Sequence, residues 1–135
     1  MTHLLDSNIC IYLVKRKPPE LLERFRRLAP GDIGVSSITV AELQYGVHKS
    51  QHRERNQRAL EQFLLPLILA PFDERASAVY GEVRATLERV GMPIGPLDTL
   101  IGAHALQLGV ILVTNNPREF RRIPGLEVRN WVAGD

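Results

Sequence analysis

Short apolar runs alternate along this chain with longer stretches whose apolar residues recur every three or four positions. Residues 3–5 predict a short buried strand, and residues 7–14 a helix. Pro18-Pro19 opens a second helix with Leu21, Leu22, Phe25 and Leu28 on its apolar side, stopped by Pro30-Gly31. Residues 33–35 predict the next strand. Residues 39–48 predict a helix with Val40, Leu43 and Val47 on one side, and residues 51–65 predict another. A strand is expected over 67–70. A long helix is expected over 73–90, with Ala76, Val79, Tyr80, Val83 and Leu87 inward. The glycine- and proline-rich segment 91–96 reads as a loop. The helix after it, residues 97–108, carries Leu97, Ile101, Ala105 and Leu108 on one face and stops at Gly109. Residues 110–113 are four consecutive aliphatics, mostly β-branched, and predict a strand. A last short strand is expected around Leu126, Val128 and Trp131.

Strands that alternate with helices imply crossover connections. The expected fold class is therefore α/β: a mostly parallel central sheet with helices on both faces, in three layers. The 135 residues suit one domain over 1–135, and no repeat or long linker divides them. A hydrophobic share of 44% excludes a disordered chain. Cys10 is the single cysteine, which excludes an internal disulfide framework and a cysteine-based zinc site. Its apolar neighbours place it in the core. The longest apolar stretch, 63–72, is broken by Pro66, whereas a spanning helix needs about 20 apolar residues. Asp6 stands where a secretion signal would be apolar. The expectation is a cytoplasmic protein with no membrane crossing.

The net charge of +2 does not by itself indicate a nucleic-acid binder. The kind of charge says more: Lys15, Lys17 and Lys49 are the only lysines, and the other basic residues are arginines. Arginine forks match phosphate oxygens. The arginines gather in two stretches, one with Arg24 and Arg27 and one with Arg53, Arg55 and Arg58. The plain alternative for both is a solvated helix face paired with nearby glutamates.

A parallel sheet binds ligands in the crevice beyond the carboxyl ends of its strands. Asp6 closes the first strand. Glu42 and Asp98 lie near the starts of helices that follow strand or loop, and Asn115, Asn116 and Glu119 follow the strand at 110–113. All of these fall on one edge of the sheet. Each has an ordinary reading too. Asp6 would cap the first helix. Thr39 to Glu42 matches a capping box. Asp98 would favour a helix dipole. Asn116-Pro117 would open a turn. Together, three or four acids at one crevice repel unless a cation neutralises them, and their oxygen donors suit Mg²⁺ or Mn²⁺.

Four segments in order carry a resemblance over essentially the whole chain. Asp6-Ser7-Asn8-Ile9-Cys10-Ile11 after an apolar strand resembles the opening of PIN-domain ribonucleases. Residues 36–46, with Glu42-Leu43-Gln44-Tyr45-Gly46, resemble their second motif. Residues 95–105, where Asp98 opens an alanine-containing helix, resemble the third, and residues 112–120 the fourth. The match is nearest to the VapC-type toxins of bacterial toxin–antitoxin pairs. The resemblance implies a Mg²⁺- or Mn²⁺-dependent endoribonuclease that hydrolyses structured RNA such as tRNA with metal-activated water. It also implies a cognate antitoxin as partner, and a homodimer or a toxin–antitoxin hetero-oligomer. By the same resemblance Asp6 and Asp98 are direct metal ligands and Glu42 is the third acid. Many members have an acid where this chain has Asn116; Glu119 takes over part of that role. Ser7, Asn8 and Thr114 are expected to support the acids, and Arg24, Arg27, Arg53 and Arg55 to contact RNA phosphates.

Three other readings compete. A non-catalytic RNA- or antitoxin-binding module of the same fold is favoured only by Asn116. A haloacid-dehalogenase-like phosphatase wants a second aspartate at the position of Asn8, and a receiver domain wants a lysine after a late strand. His48 and His52 have helical zinc spacing but no third ligand. His104 is expected to be structural, and Tyr45 and Tyr80 to lie in the core.

Overall fold

The computed structural model describes residues 1–132; the last three residues of the expected domain lie outside the described residues. Among the described residues five strands form one sheet: β1 (His3–Leu5), β2 (Ile33–Ser36), β3 (Ile68–Ala70), β4 (Ile111–Val113) and β5 (Val128–Arg129). Every neighbouring pair is parallel, in the order β3-β2-β1-β4-β5. The chain steps outward from β1 to β3, then returns to add β4 on the other side of β1. This reversal puts a crevice beyond the carboxyl ends of β1 and β4.

Among the described residues seven α-helices connect and cover the strands: α1 (Ser7–Val14), α2 (Pro19–Arg26), α3 (Ser37–His48), α4 (Arg53–Leu64), α5 (Glu74–Arg89), α6 (Pro96–Leu108) and α7 (Pro117–Phe120). Successive strand residues point to opposite faces. Leu5, Ile33, Val35 and Val113 therefore join Ile9, Leu13, Leu21, Leu43 and Leu60 on the face covered by α1 to α4. Leu4, Leu112 and Val128 join Val83, Leu87, Ile101 and Phe120 on the face covered by α5 to α7. A fully buried aliphatic side chain of this size contributes roughly 1.5–3 kcal/mol, so both cores clamp the sheet. No helix among the described residues is long and apolar enough to cross a membrane.

The structure departs from the expected elements at several points. α3 starts at Ser37, because Ser36 at the end of β2 is already its cap: Ser36 Oγ accepts from the Ile38 amide at 3.1 Å. Thr39 is thus inside the helix and buried, and Thr39 to Glu42 form no capping box. α2 ends at Arg26, and a 3₁₀ turn at Pro30–Asp32 leads into β2. Asn116-Pro117 opens a helical turn, α7, rather than a simple turn, and this buries Phe120. Leu97 is exposed, while Ile101 to Ala105 form the buried part of α6. Trp131 is buried but lies beyond β5. Tyr45, expected in the core, is 67% exposed on α3, whereas Tyr80 packs against the second core. Cys10 and His104 are buried as expected, and Ser36 Oγ lies 2.8 Å from His104 Nδ1.

Candidate active site

Asp6 is the last residue before α1 and caps that helix, its Oδ1 accepting from the Ile9 amide at 2.9 Å. Its own amide donates to the Val113 carbonyl at 3.0 Å, so the ends of β1 and β4 are tied at this point. The Thr114 hydroxyl hydrogen-bonds the Asp6 carboxylate and accepts from the Asn116 amide at 2.9 Å. One buried hydroxyl therefore fixes Asp6 and the start of the Asn116 segment together. The ordinary reading of Asp6 as a cap is correct but incomplete, since the same side chain is only 5% exposed at the floor of the crevice.

Glu42 comes from the second turn of α3. Ser7 Oγ, at the start of α1, donates to Glu42 Oε1 at 2.6 Å. This pulls Glu42 across to the end of β1. Asp98 is the third residue of α6 and is half-buried beside Gly95. Glu119 is the third residue of α7, with Asn116 half-buried at its start.

The electrostatics show these groups acting on one another. Burial pushes the Asp6 carboxyl up to about 6, against the hydrogen bonds from Thr114 and Ile9, and the charges of Asp98 and Glu42 push it further up. Burial also raises Asp98, followed by the charges of Glu119 and Glu42. No lysine, arginine or histidine offsets either carboxyl. The fold has brought acids from the end of β1 and from α3, α6 and α7 to one crevice, with no cation acting on Asp6 or Asp98.

That donor set fits a hard divalent cation in charge and chemistry: carboxylate oxygens, with the single thiol buried in the core and no imidazole acting on the acids. The acids stand apart, since no three His, Cys, Asp or Glu among the described residues are close enough to form a closed ligand set.

The other expected site residues fall differently. Asn8 is exposed and forms no hydrogen bond with Asp6 among the described residues. Arg27 is paired with Glu23 at 2.6 Å on the exposed side of α2. Arg53 and Arg55 line a surface hollow with His52 and Arg58, which none of the four acids lines. Arg24 lies in the last turn of α2. His48 Nδ1 lies 2.9 Å from the Gln44 carbonyl, inside its own helix. Lys15 lines a groove of about 370 Å³ between α1, α3 and α4 that Glu42 also lines. The packing of α1 on α3 and α4, which a local sequence pattern does not record, places it there.

The PIN domain family model matches residues 3–126. The chain is 44% identical over 128 residues to the tRNA(fMet)-specific endonuclease VapC of Shigella flexneri, covering 95% of this chain and 96% of the relative. It is 46% identical over 132 residues to ribonuclease VapC2 of Haemophilus influenzae, covering 98% and 99%. Among solved structures it superposes on VapBC2 from Rickettsia felis, bound to a DNA fragment from its promoter, with a TM-score of 0.91 and 43% identity. That match covers 97% of this chain and 99% of the other.

Proposed function

The chain belongs to the PIN-domain family, as a VapC ribonuclease, and from that premise we propose that it is the endoribonuclease toxin of a toxin–antitoxin pair, with tRNA as substrate. The observation that carries the reading is the set of four mutually interacting acids at the β1–β4 crevice, with no cation acting on Asp6 or Asp98. The likeness to a VapBC assembly supports a cognate antitoxin as partner. The relative specific for tRNA(fMet) supports tRNA as the substrate class. We place the protein in the cytoplasm, as one PIN-like unit that pairs with a second copy or with its antitoxin.

Ribonucleases of this family are metal-dependent, and the oxygen donors here favour Mg²⁺ or Mn²⁺. Asp6 and Asp98 would hold the ion. When bound, it supplies positive charge to a non-bridging phosphate oxygen and makes water a stronger acid. The chain's own groups do the rest. Glu42, held through Oε1 by Ser7, presents its second oxygen to accept the proton of the attacking water. Thr114 keeps Asp6 oriented and ionised by donating to it. Asn116 and Glu119 would assist the leaving oxygen. Asn116 would hydrogen-bond without adding charge, and the charge of Glu119, after burial, pushes the Asp98 carboxyl up.

The test is cleavage of purified total tRNA with Mg²⁺, with Mn²⁺ and with EDTA, beside Asp6→Asn. Discrete fragments that require metal and vanish in the variant are expected. Intact RNA in every lane would turn the reading toward a binding module.

A further inference from the structure

Glu42, Tyr45 and Lys49 follow one another at i, i+3 and i+7 along α3, so they form a single stripe on the helix surface. Tyr45 is 67% exposed, and its ring is not part of either core. The Lys49 ammonium sits 4.9 Å from the ring centroid and covers one side of it, which leaves the other side open. Neither Lys49 nor Lys15 forms an ion pair among the described residues. Gly46, beside Tyr45, lines the same groove as Glu42. A glycine inside a helix is destabilising relative to alanine. Here no neighbour forbids a side chain, since a Cβ at Gly46 would meet nothing within 4 Å. Packing therefore does not require the glycine.

An exposed π-face one helical turn from a catalytic acid, with a lysine ammonium beside it, is the chemistry that holds an unpaired base and its phosphate. We propose that Tyr45 is a specificity-determining residue: its ring stacks one splayed nucleobase of the RNA, and Lys49 takes that nucleotide's phosphate, next to the bond being cut. This rests on the ribonuclease reading. It adds that the enzyme needs at least one unstacked nucleotide beside the scissile phosphate.

The experiment has two arms. In the first, Tyr45→Ala, Tyr45→Phe, Tyr45→Trp and Lys49→Gln are compared with wild type in steady-state cleavage of tRNA. Because Tyr45 is exposed, thermal unfolding of the variants should match wild type. Tyr45→Ala is expected to raise KM about tenfold with kcat nearly unchanged, since stacking acts on binding. Phe and Trp are expected to keep the wild-type KM, because any π-face stacks. In the second arm, Asp6→Asn protein binds short single-stranded RNA carrying 2-aminopurine. Fluorescence should be quenched, and the quench lost in the Asp6→Asn, Tyr45→Ala double variant.

Unchanged KM in Tyr45→Ala, or equal losses in Tyr45→Phe and Tyr45→Ala, would overturn the platform. So would variants that cleave RNA normally yet escape inhibition by the antitoxin, which would make this stripe a protein-binding surface. Absence of cleavage by wild type would instead remove the ribonuclease reading, while the quench still reports on stacking by itself.

Discussion

Ser7 Oγ and Glu42 Oε1 are joined by a 2.6 Å hydrogen bond that spans 35 positions of the chain. The bond ties the first turn of α1 to the second turn of α3, and both helices leave the same sheet edge. It gives Glu42 a long-range partner where the local pattern suggested a capping box. Holding one carboxylate oxygen leaves the other available for a proton.

Ser7→Ala should lower kcat by about tenfold with the fold retained, since a hydrogen bond to a charged group is worth about 1.5–3 kcal/mol. Ser7→Thr should restore part of the rate. Steady-state kinetics and thermal unfolding check this together; a Ser7→Ala enzyme at full rate would mean Glu42 is held by its helix alone.

Asp6→Asn should abolish cleavage and, without metal, stabilise the fold at neutral pH. The Asp6 carboxyl rises from 3.8 to about 6 on folding, so the native state favours its protonated form. Stability tied to that proton is fully present below about pH 4 and is lost as pH rises through about 6. The cost of the buried charge at pH 7 is at most on the order of 3 kcal/mol. His3 and His104, both lowered by burial, act in the opposite sense, but they do so equally in wild type and variant. The stability gap between Asp6→Asn and wild type in EDTA should therefore open from pH 4 to pH 7. A gap independent of pH would sink the assignment.

Mg²⁺ or Mn²⁺ should raise the melting temperature of wild type and leave Asp6→Asn and Asp98→Asn nearly unmoved. An ion that binds only the folded state at about one hundred times its Kd adds about 2.7 kcal/mol. This reads the ligand assignment without any RNA present. Equal stabilisation of Asp98→Asn would place the ion elsewhere.

Glu119→Gln should reduce cleavage partially, and it should lower the Asp98 pKa, because Glu119 is the foremost charge raising it. Asn116→Asp should do the reverse to the ion: its added charge should lower the metal concentration needed for half-maximal rate. A titration of rate against Mn²⁺ for both variants tests the pair. An unchanged midpoint in Asn116→Asp would show that this position does not face the ion.

Much of the frame is legible in the chain itself. Residues 3–5 and 7–14 read correctly because an aspartate cap separates an apolar run from a helical period. Gly109 ends α6 in a left-handed conformation that glycine adopts freely, and Pro96 begins it where no amide hydrogen is needed. Once the elements alternate, a parallel sheet follows, and with it the placement of Asp6, Glu42, Asp98 and Glu119 along one edge. These are consequences of periodicity and of cap and turn chemistry, which act over a few residues. The tertiary structure decided the rest. Ser36 rather than Thr39 caps α3 because the strand runs directly into the helix. Thr114 serves Asp6 because β4 lies beside β1 in the sheet. Tyr45 faces outward because Leu43 and Val47 take the buried side of the same helix. Arg53 and Arg55 line a hollow that none of the acids lines, and Lys15 shares a groove with Glu42, because the packing of α1 against α3 and α4 sets which side chains border which groove. Strand order and helix packing depend on contacts between distant positions, and a local pattern carries no record of them.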